Sequence, residues 1–265
     1  MPRSSRARQT ECMTETAPTA VQVGDLHVEV RGDGPPVLLI HGNSGDLHYF
    51  DHNVPALERH FRVAAMDCRG QGRSARGDGP LTIRRMADDA ADVIRTLQID
   101  DEPFDVVGFS DGANVAMTLA VHHPELVRRL VLNSGNITRQ GMHMSLRVQL
   151  RFADELLQRK RQHGVLPVVR HEHELMRLML DQPGITTEQL AGITAPTLVM
   201  AGSKDLIRRE HTRLIAKLIP GAQLRIIVDG THFVMRDMPG VANAVVDDFL
   251  RAGAAPVDGV RILDR

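Results

Sequence analysis

A serine hydroxyl is a weak nucleophile at neutral pH and needs a base to take its proton. In GFSDGANVAM (108–117), Ser110 closes an apolar run and has a glycine two residues away on each side. One reading is a strand-to-helix turn that happens to contain serine. The other is a turn built to lift a hydroxyl off a sheet. Such a turn brings backbone against backbone, and a Cβ at Gly108 or Gly112 would clash. The helix that follows (112–123) then starts beneath the serine, its free N–H groups and positive dipole end facing any developing negative charge. His232, in DGTHF, follows another apolar run and is the best base. Asp205, in MAGSKDLI, follows the run before that one and can reach the second imidazole nitrogen, fixing its tautomer. Asp229 is the competing acid, but three residues from His232 it falls in a turn. Asn133-Ser134-Gly135-Asn136 supplies no carboxylate.

These residues need elements to carry them. VQVGDLHVEVRGDG (21–34) alternates around Gly24-Asp25 and predicts an edge hairpin. PPVLLIHG, FRVAAMDCRG, FDVVGFS, RRLVLNSG, PTLVMAG and AQLRIIVDG are short continuous apolar runs, as buried parallel strands should be. Ile83, Met86, Ala90, Val93 and Leu97 form one helical stripe. ANVAMTLAVHH is apolar nearly all round and predicts a buried helix. HTRLIAKLIP and VANAVVDDFLRA predict two more. Strands alternating with helices give an α/β fold with a mostly parallel, doubly wound sheet. Ligands bind such a sheet at the carboxyl ends of its strands. The polar residues there are few: His41-Gly42-Asn43, Asp67, Ser110, Asn133, Asp205 and His232.

One interval breaks the alternation. From RRLVLNSG to PTLVMAG no strand is signalled, while 144–161 and 173–182 read as helices punctuated by Gly164, Pro167, Pro183 and Gly184. An insertion of that size is usually functional. The expected organisation is a disordered leader (1–20), a core (21–136 and 195–254), a small helical cap (137–194) between two late strands, and an uninformative tail (255–265). The leader, MPRSSRARQTECMTETAPTA, lacks a signal peptide's apolar segment; Met13 is an alternative start.

The net charge of −1 gives no reason to expect nucleic acid or an anionic membrane as partner. No apolar run approaches the roughly 18 to 20 residues of a membrane span. Two cysteines imply no disulfide framework and a reducing, cytoplasmic compartment. Aromatics are scarce and there are 12 methionines, so an apolar pocket should be lined by aliphatic side chains and Met.

GFSDG matches G-x-S-x-G. HGN (41–43) follows the first central strand, MDCRGQGRS (66–74) the next, and GSKD (202–205) and GTHF (230–233) come last. With these elements in this order, the chain resembles the α/β-hydrolase superfamily over residues 21–252. The resemblance implies Ser110 as nucleophile, His232 as general base and acid, and Asp205 as its orienter. It implies the backbone N–H groups of Asn43 and Asp111 as an oxyanion hole, and the 137–194 region as a cap. Haloalkane dehalogenases and epoxide hydrolases of the superfamily carry an Asp nucleophile. Here Asp111 stands one place late, and the cap lacks the two tyrosines typical of epoxide hydrolases.

The chemistry expected is hydrolysis of a small or medium apolar carboxylic ester through an acyl-enzyme. It needs a small-molecule substrate and no metal or organic cofactor. C–C bond hydrolysis of a ring-cleavage product and perhydrolysis use the same triad. A ligand-binding protein that keeps the fold without turnover is the rival from another class. A homodimer is left open. Met142, Met144, Met176 and Met179 are expected in the cap core and, with Phe233, are the candidates to line the pocket. His41 is read as orienting the 41–43 loop and Asp67 as binding nearby backbone. His171-Glu172-His173-Glu174 lacks the H-E-x-x-H zinc spacing and is read as a solvated helix start.

Overall fold

The computed structural model describes residues 17–98, 101–162, 167–181, 184–251 and 262–263. Among them nine strands form one sheet: β1 (Thr19–Val23), β2 (Leu26–Arg31), β3 (Pro36–Ile40), β4 (Arg62–Met66), β5 (Phe104–Phe109), β6 (Val127–Asn133), β7 (Thr197–Lys204), β8 (Gln223–Thr231) and β9 (Ile262–Leu263). Their spatial order is β1-β2-β4-β3-β5-β6-β7-β8-β9. The β1–β2 and β2–β4 pairs are antiparallel and the rest parallel. The helices are α1 (Val54–Leu57), α2 (Ile83–Leu97), α3 (Asp111–His122), α4 (Met144–Gln162), α5 (Pro167–Asp181), α6 (Thr187–Ala191), α7 (Arg209–Leu218), α8 (Val234–Asp237) and α9 (Pro239–Arg251). None is long and apolar enough to cross a membrane.

The pleat sorts each continuous apolar run onto two faces. Leu38, Ile40, Val106, Leu130 and Leu132 join α2, α3 and α7 in one buried cluster. Val37, Leu39, Val107 and Val131 join α1, α8 and α9 in the other. That double burial is why these strands show no polar alternation. α2 is amphipathic: Ile83, Met86, Ala90 and Val93 are buried, and the Thr82 hydroxyl accepts from the Arg85 N–H at its start. α3 is buried continuously from Asp111 to Ala120.

Several boundaries differ from the sequence reading. Residues 1–16, with Cys12 and Met13, lie outside the described residues. The leader ends earlier than residue 20, because Thr19 and Ala20 already pair with β2. The tail is not featureless: Ile262 and Leu263 add a short parallel strand to β8. The second helix of the 137–194 region starts at Pro167 rather than at 173, the proline's missing N–H costing nothing in a first turn. Gly230 and Thr231 belong to β8. Gly164 and Pro183 lie outside the described residues.

Candidate active site

β5 delivers Ser110, and the turn into α3 is as sharp as the glycines implied. Ser110 has φ 53° and ψ −119°, a conformation that side chains other than glycine rarely adopt. A Cβ on Gly108 would strike the backbone of Gly112 and Ala113; one on Gly112 would strike the carbonyl oxygens of Ile40 and His41. The Ser110 N–H is tied to the Asn133 carbonyl of β6 at 2.8 Å. The hydroxyl is thus presented by backbone fixed on both sides.

His232 follows β8 directly. Its Nε2 lies 3.1 Å from the Ser110 Oγ, and its Nδ1 lies 2.7 Å from Asp205 Oδ1. Asp205, one residue past β7, also accepts from the Ile207 N–H at 2.9 Å and the Ser134 hydroxyl at 2.6 Å. A carboxylate held by donors accepts from the imidazole too. The proton therefore sits on Nδ1, and Nε2 is left to accept from the serine. His232 and Asp205 are both 7 % exposed. Asp229, the competing acid, is exposed and pairs with Lys204 at 2.8 Å.

The 41–43 loop closes the other side. His41 Nε2 accepts from the Cys68 N–H at 2.9 Å, which leaves Nδ1 to donate to the Gly42 carbonyl at 2.7 Å. Burial lowers the His41 pKa and keeps the ring neutral. Asp67 accepts from the N–H groups of Leu47 and Arg73, both at 2.8 Å, in keeping with its reading as a loop former. The Asn43 amide donates to the Asp111 carboxyl at 2.8 Å and to the Leu175 carbonyl of α5 at 2.9 Å. Burial pushes the Asp111 carboxyl above its ordinary value, against hydrogen bonds from Asn43 and Asn114. The Asp111 N–H belongs to the first turn of α3, where no intrahelical acceptor exists.

Sequence reasoning missed two parts of this surrounding. Ser134, just past β6, donates its hydroxyl to Asp205 Oδ2, the oxygen not facing His232. The strand order could have pointed to it, because β6 lies between β5 and β7. The second is aromatic. Tyr49 stacks on Phe109 at 4.0 Å between centroids, and Phe109 lies 5.1 Å from His232 and 5.8 Å from Phe233. Tyr49, Phe109 and Phe233 gather beside His232. Composition could not show that, because these residues are far apart in sequence.

The methionines divide. Met142 is buried with Leu150, Leu180 and Ile207, and Met176 and Met179 pack against that cluster. Met144 does not: it is 64 % exposed. It sits two residues before Leu146, about 200° round the helix, so it faces away from the cluster. Phe233, 37 % exposed, lies beside His232 at 5.3 Å. His171-Glu172-His173-Glu174 is not a solvated helix start but lies inside α5. His173 is buried at 2.9 Å from Asp154 of α4, and Glu174 meets Arg76 through two bonds of 2.8 and 2.9 Å.

The family model of the alpha/beta hydrolase fold matches residues 35–181. The chain belongs to that family. It is similar to a putative carbamate hydrolase, RutD, of Azorhizobium caulinodans, 29% identical over 85% of this chain and 94% of that one. It is also similar to the pyrrolizixenacetamide deacetylase of Xenorhabdus hominickii, 26% identical over 89% of this chain and 99% of that one. The solved structure of Est816, described as an N-acyl homoserine lactone degrading enzyme, matches with a TM-score of 0.70 and 25% identity, covering 87% of this chain and all of that one. The relatives and the fold make the protein a hydrolase.

Proposed function

We propose that this is a serine hydrolase that cleaves a small or medium apolar carboxylic ester on Ser110, His232 and Asp205. The observation that carries the reading is the continuous run of hydrogen bonds from Asp205 through His232 to a serine held in a strained turn. Ser110 Oγ attacks the ester carbonyl while its proton passes to His232 Nε2. Asp205 stabilises the imidazolium and holds its orientation. The N–H groups of Asn43 and Asp111 receive the oxyanion, each such donor being worth about 3 kcal/mol. The alcohol leaves with the proton from His232. Water then gives a proton to His232 and attacks the acyl-enzyme, and the acid departs as Ser110 is reprotonated.

The 137–194 region acts as a cap over this site. Its support is position: Leu175 is bonded to the Asn43 side chain, and the Ile137 N–H donates to His211 of the core at 3.1 Å. A nitrogen leaving group is the second reading, favoured by the names of the carbamate hydrolase and deacetylase relatives. The acylation step is the same, with an amine or carbamate nitrogen taking the proton.

A fluorophosphonate probe followed by peptide mapping tests the proposal, alongside p-nitrophenyl esters and anilides of increasing acyl length. Wild type should label at Ser110, Ser110→Ala should not, and His232→Ala should label far more slowly. Ester turnover should fall by roughly 10⁴-fold or more in Ser110→Ala. A folded wild type that neither labels nor outpaces Ser110→Ala would sink the reading in favour of a binding protein. Faster anilide than ester turnover would select the nitrogen substrate.

A further inference from the structure

Four large apolar side chains stand exposed in one line on α4. Met144 (64 %), Val148 (59 %), Phe152 (71 %) and Leu156 (47 %) recur at every fourth residue, so they share a face of the helix. The opposite face is already used: Leu150 lies in the cluster with Met142, Leu146 packs against it, and Asp154 is buried against His173. A helix with one buried face ordinarily turns charge outward. α2 does so, with Arg84, Asp92 and Arg95 exposed. Exposed Leu214 stands singly on α7, which is normal for a protein surface.

The charge on α4 is also one-sided. Arg151, Arg159 and Lys160 are exposed and Arg147 is half-buried, while the helix's one exposed carboxylate among the described residues is Glu155. The chain as a whole carries −1, so this positive excess is local.

We propose that the Val148–Phe152–Leu156 face of α4 docks the protein on an anionic lipid surface, lying in the interface without crossing it. An interfacial helix combines an apolar face, often aromatic, with basic residues that meet anionic headgroups. Phe152, the single aromatic of the cap segment, is the most exposed large apolar residue among those described. A second copy of the chain fits the surface less well. Two such faces would set Arg and Lys against Arg and Lys, and four partly exposed side chains fall short of the roughly 800 Å² per partner of a stable dimer. α4 also begins beside the site, because the His143 N–H donates to the Leu206 carbonyl, next to Asp205, at 3.0 Å. Lipid docking would therefore press on the helix whose start is bonded to the Asp205 loop. This inference does not depend on the ester reading.

Vesicle flotation of the full chain tests it, with phosphatidylcholine alone and with about one third phosphatidylglycerol. The bound fraction should be about tenfold higher on the anionic vesicles and should fall as salt is raised. Val148→Asp with Phe152→Asp should abolish binding while leaving the circular dichroism spectrum and turnover of a water-soluble ester unchanged. Arg151→Gln with Lys160→Gln should lower it severalfold. Equal or absent binding to both vesicle types overturns the proposal. So does a wild-type dimer in light scattering that the Val148→Asp, Phe152→Asp chain converts to monomer, which would assign the face to a second copy.

Discussion

The carboxyl ends of β5–β8 and the helices α4 and α5 are held in different ways. At the strand ends, position comes from the sheet. Ser110, Ser134, Asp205 and His232 each sit within a residue of a strand, and hydrogen bonds of 2.6–3.1 Å link them. In α4 and α5, position comes from a small apolar cluster and a few polar contacts: His173 with Asp154, Arg76 with Glu174, and the Asn43 side chain with the Leu175 carbonyl. Backbone ladders tolerate little displacement, whereas a few ion pairs can part and re-form. On the proposed reading, the chemistry belongs to the rigid region and selection among substrates to the adjustable one.

The largest break in this comparison should come from the strand ends. Asp205→Asn keeps the shape but lets the imidazole take the wrong tautomer. Ester turnover should drop by roughly 10⁴-fold with little loss of stability, as measured by steady-state kinetics beside thermal unfolding. Next is Gly112→Ala, whose new methyl meets the carbonyls of Ile40, the last residue of β3, and His41. It should cost about 3 kcal/mol and lower Tm by about 6–12 °C.

His211 tests the seam between the two regions. It lies on core helix α7, accepts the Ile137 N–H, and is held by burial at a pKa of about 4, against an ordinary 6.5. The folded value is the lower one. Stability is therefore whole above pH 6.5 and is lost as pH falls toward 4, because the unfolded chain takes up a proton that the folded chain refuses. The loss should approach about 3 kcal/mol. Urea unfolding at pH 7 and pH 5 should show this slope, and His211→Gln should reduce it. The smallest effect belongs to Glu174→Gln. The Arg76 pair is about 30 % exposed on each side, so its loss should cost at most about 1 kcal/mol. Faster amide exchange in α5, with β5–β8 unchanged, would sharpen the contrast; equal acceleration in both would erase it.

The sequence was most legible where one residue type had one physical use. Gly108, Gly112 and the apolar runs announced the turn and the sheet because a Cβ or a polar residue there has nowhere to go. Ser134 was illegible because a serine after a strand has many uses, and only the order of strands places it against Asp205. Met144 and the 171–174 run failed for another reason. Their composition was right for a cap core and for a solvated helix start, but their direction depends on helix phase and on what α4 and α5 pack against. The aromatic group around Phe109 depends on contacts between residues as far apart as Tyr49 and Phe233.

The backbone of Ser110 carries one more consequence. At φ 53° and ψ −119°, any side chain strains the chain by about 1–3 kcal/mol, and it does so in every molecule, with or without a ligand present. A glycine would relax that junction and leave a sturdier, inert protein. Folding and the proposed reactivity thus make opposite demands on a single position.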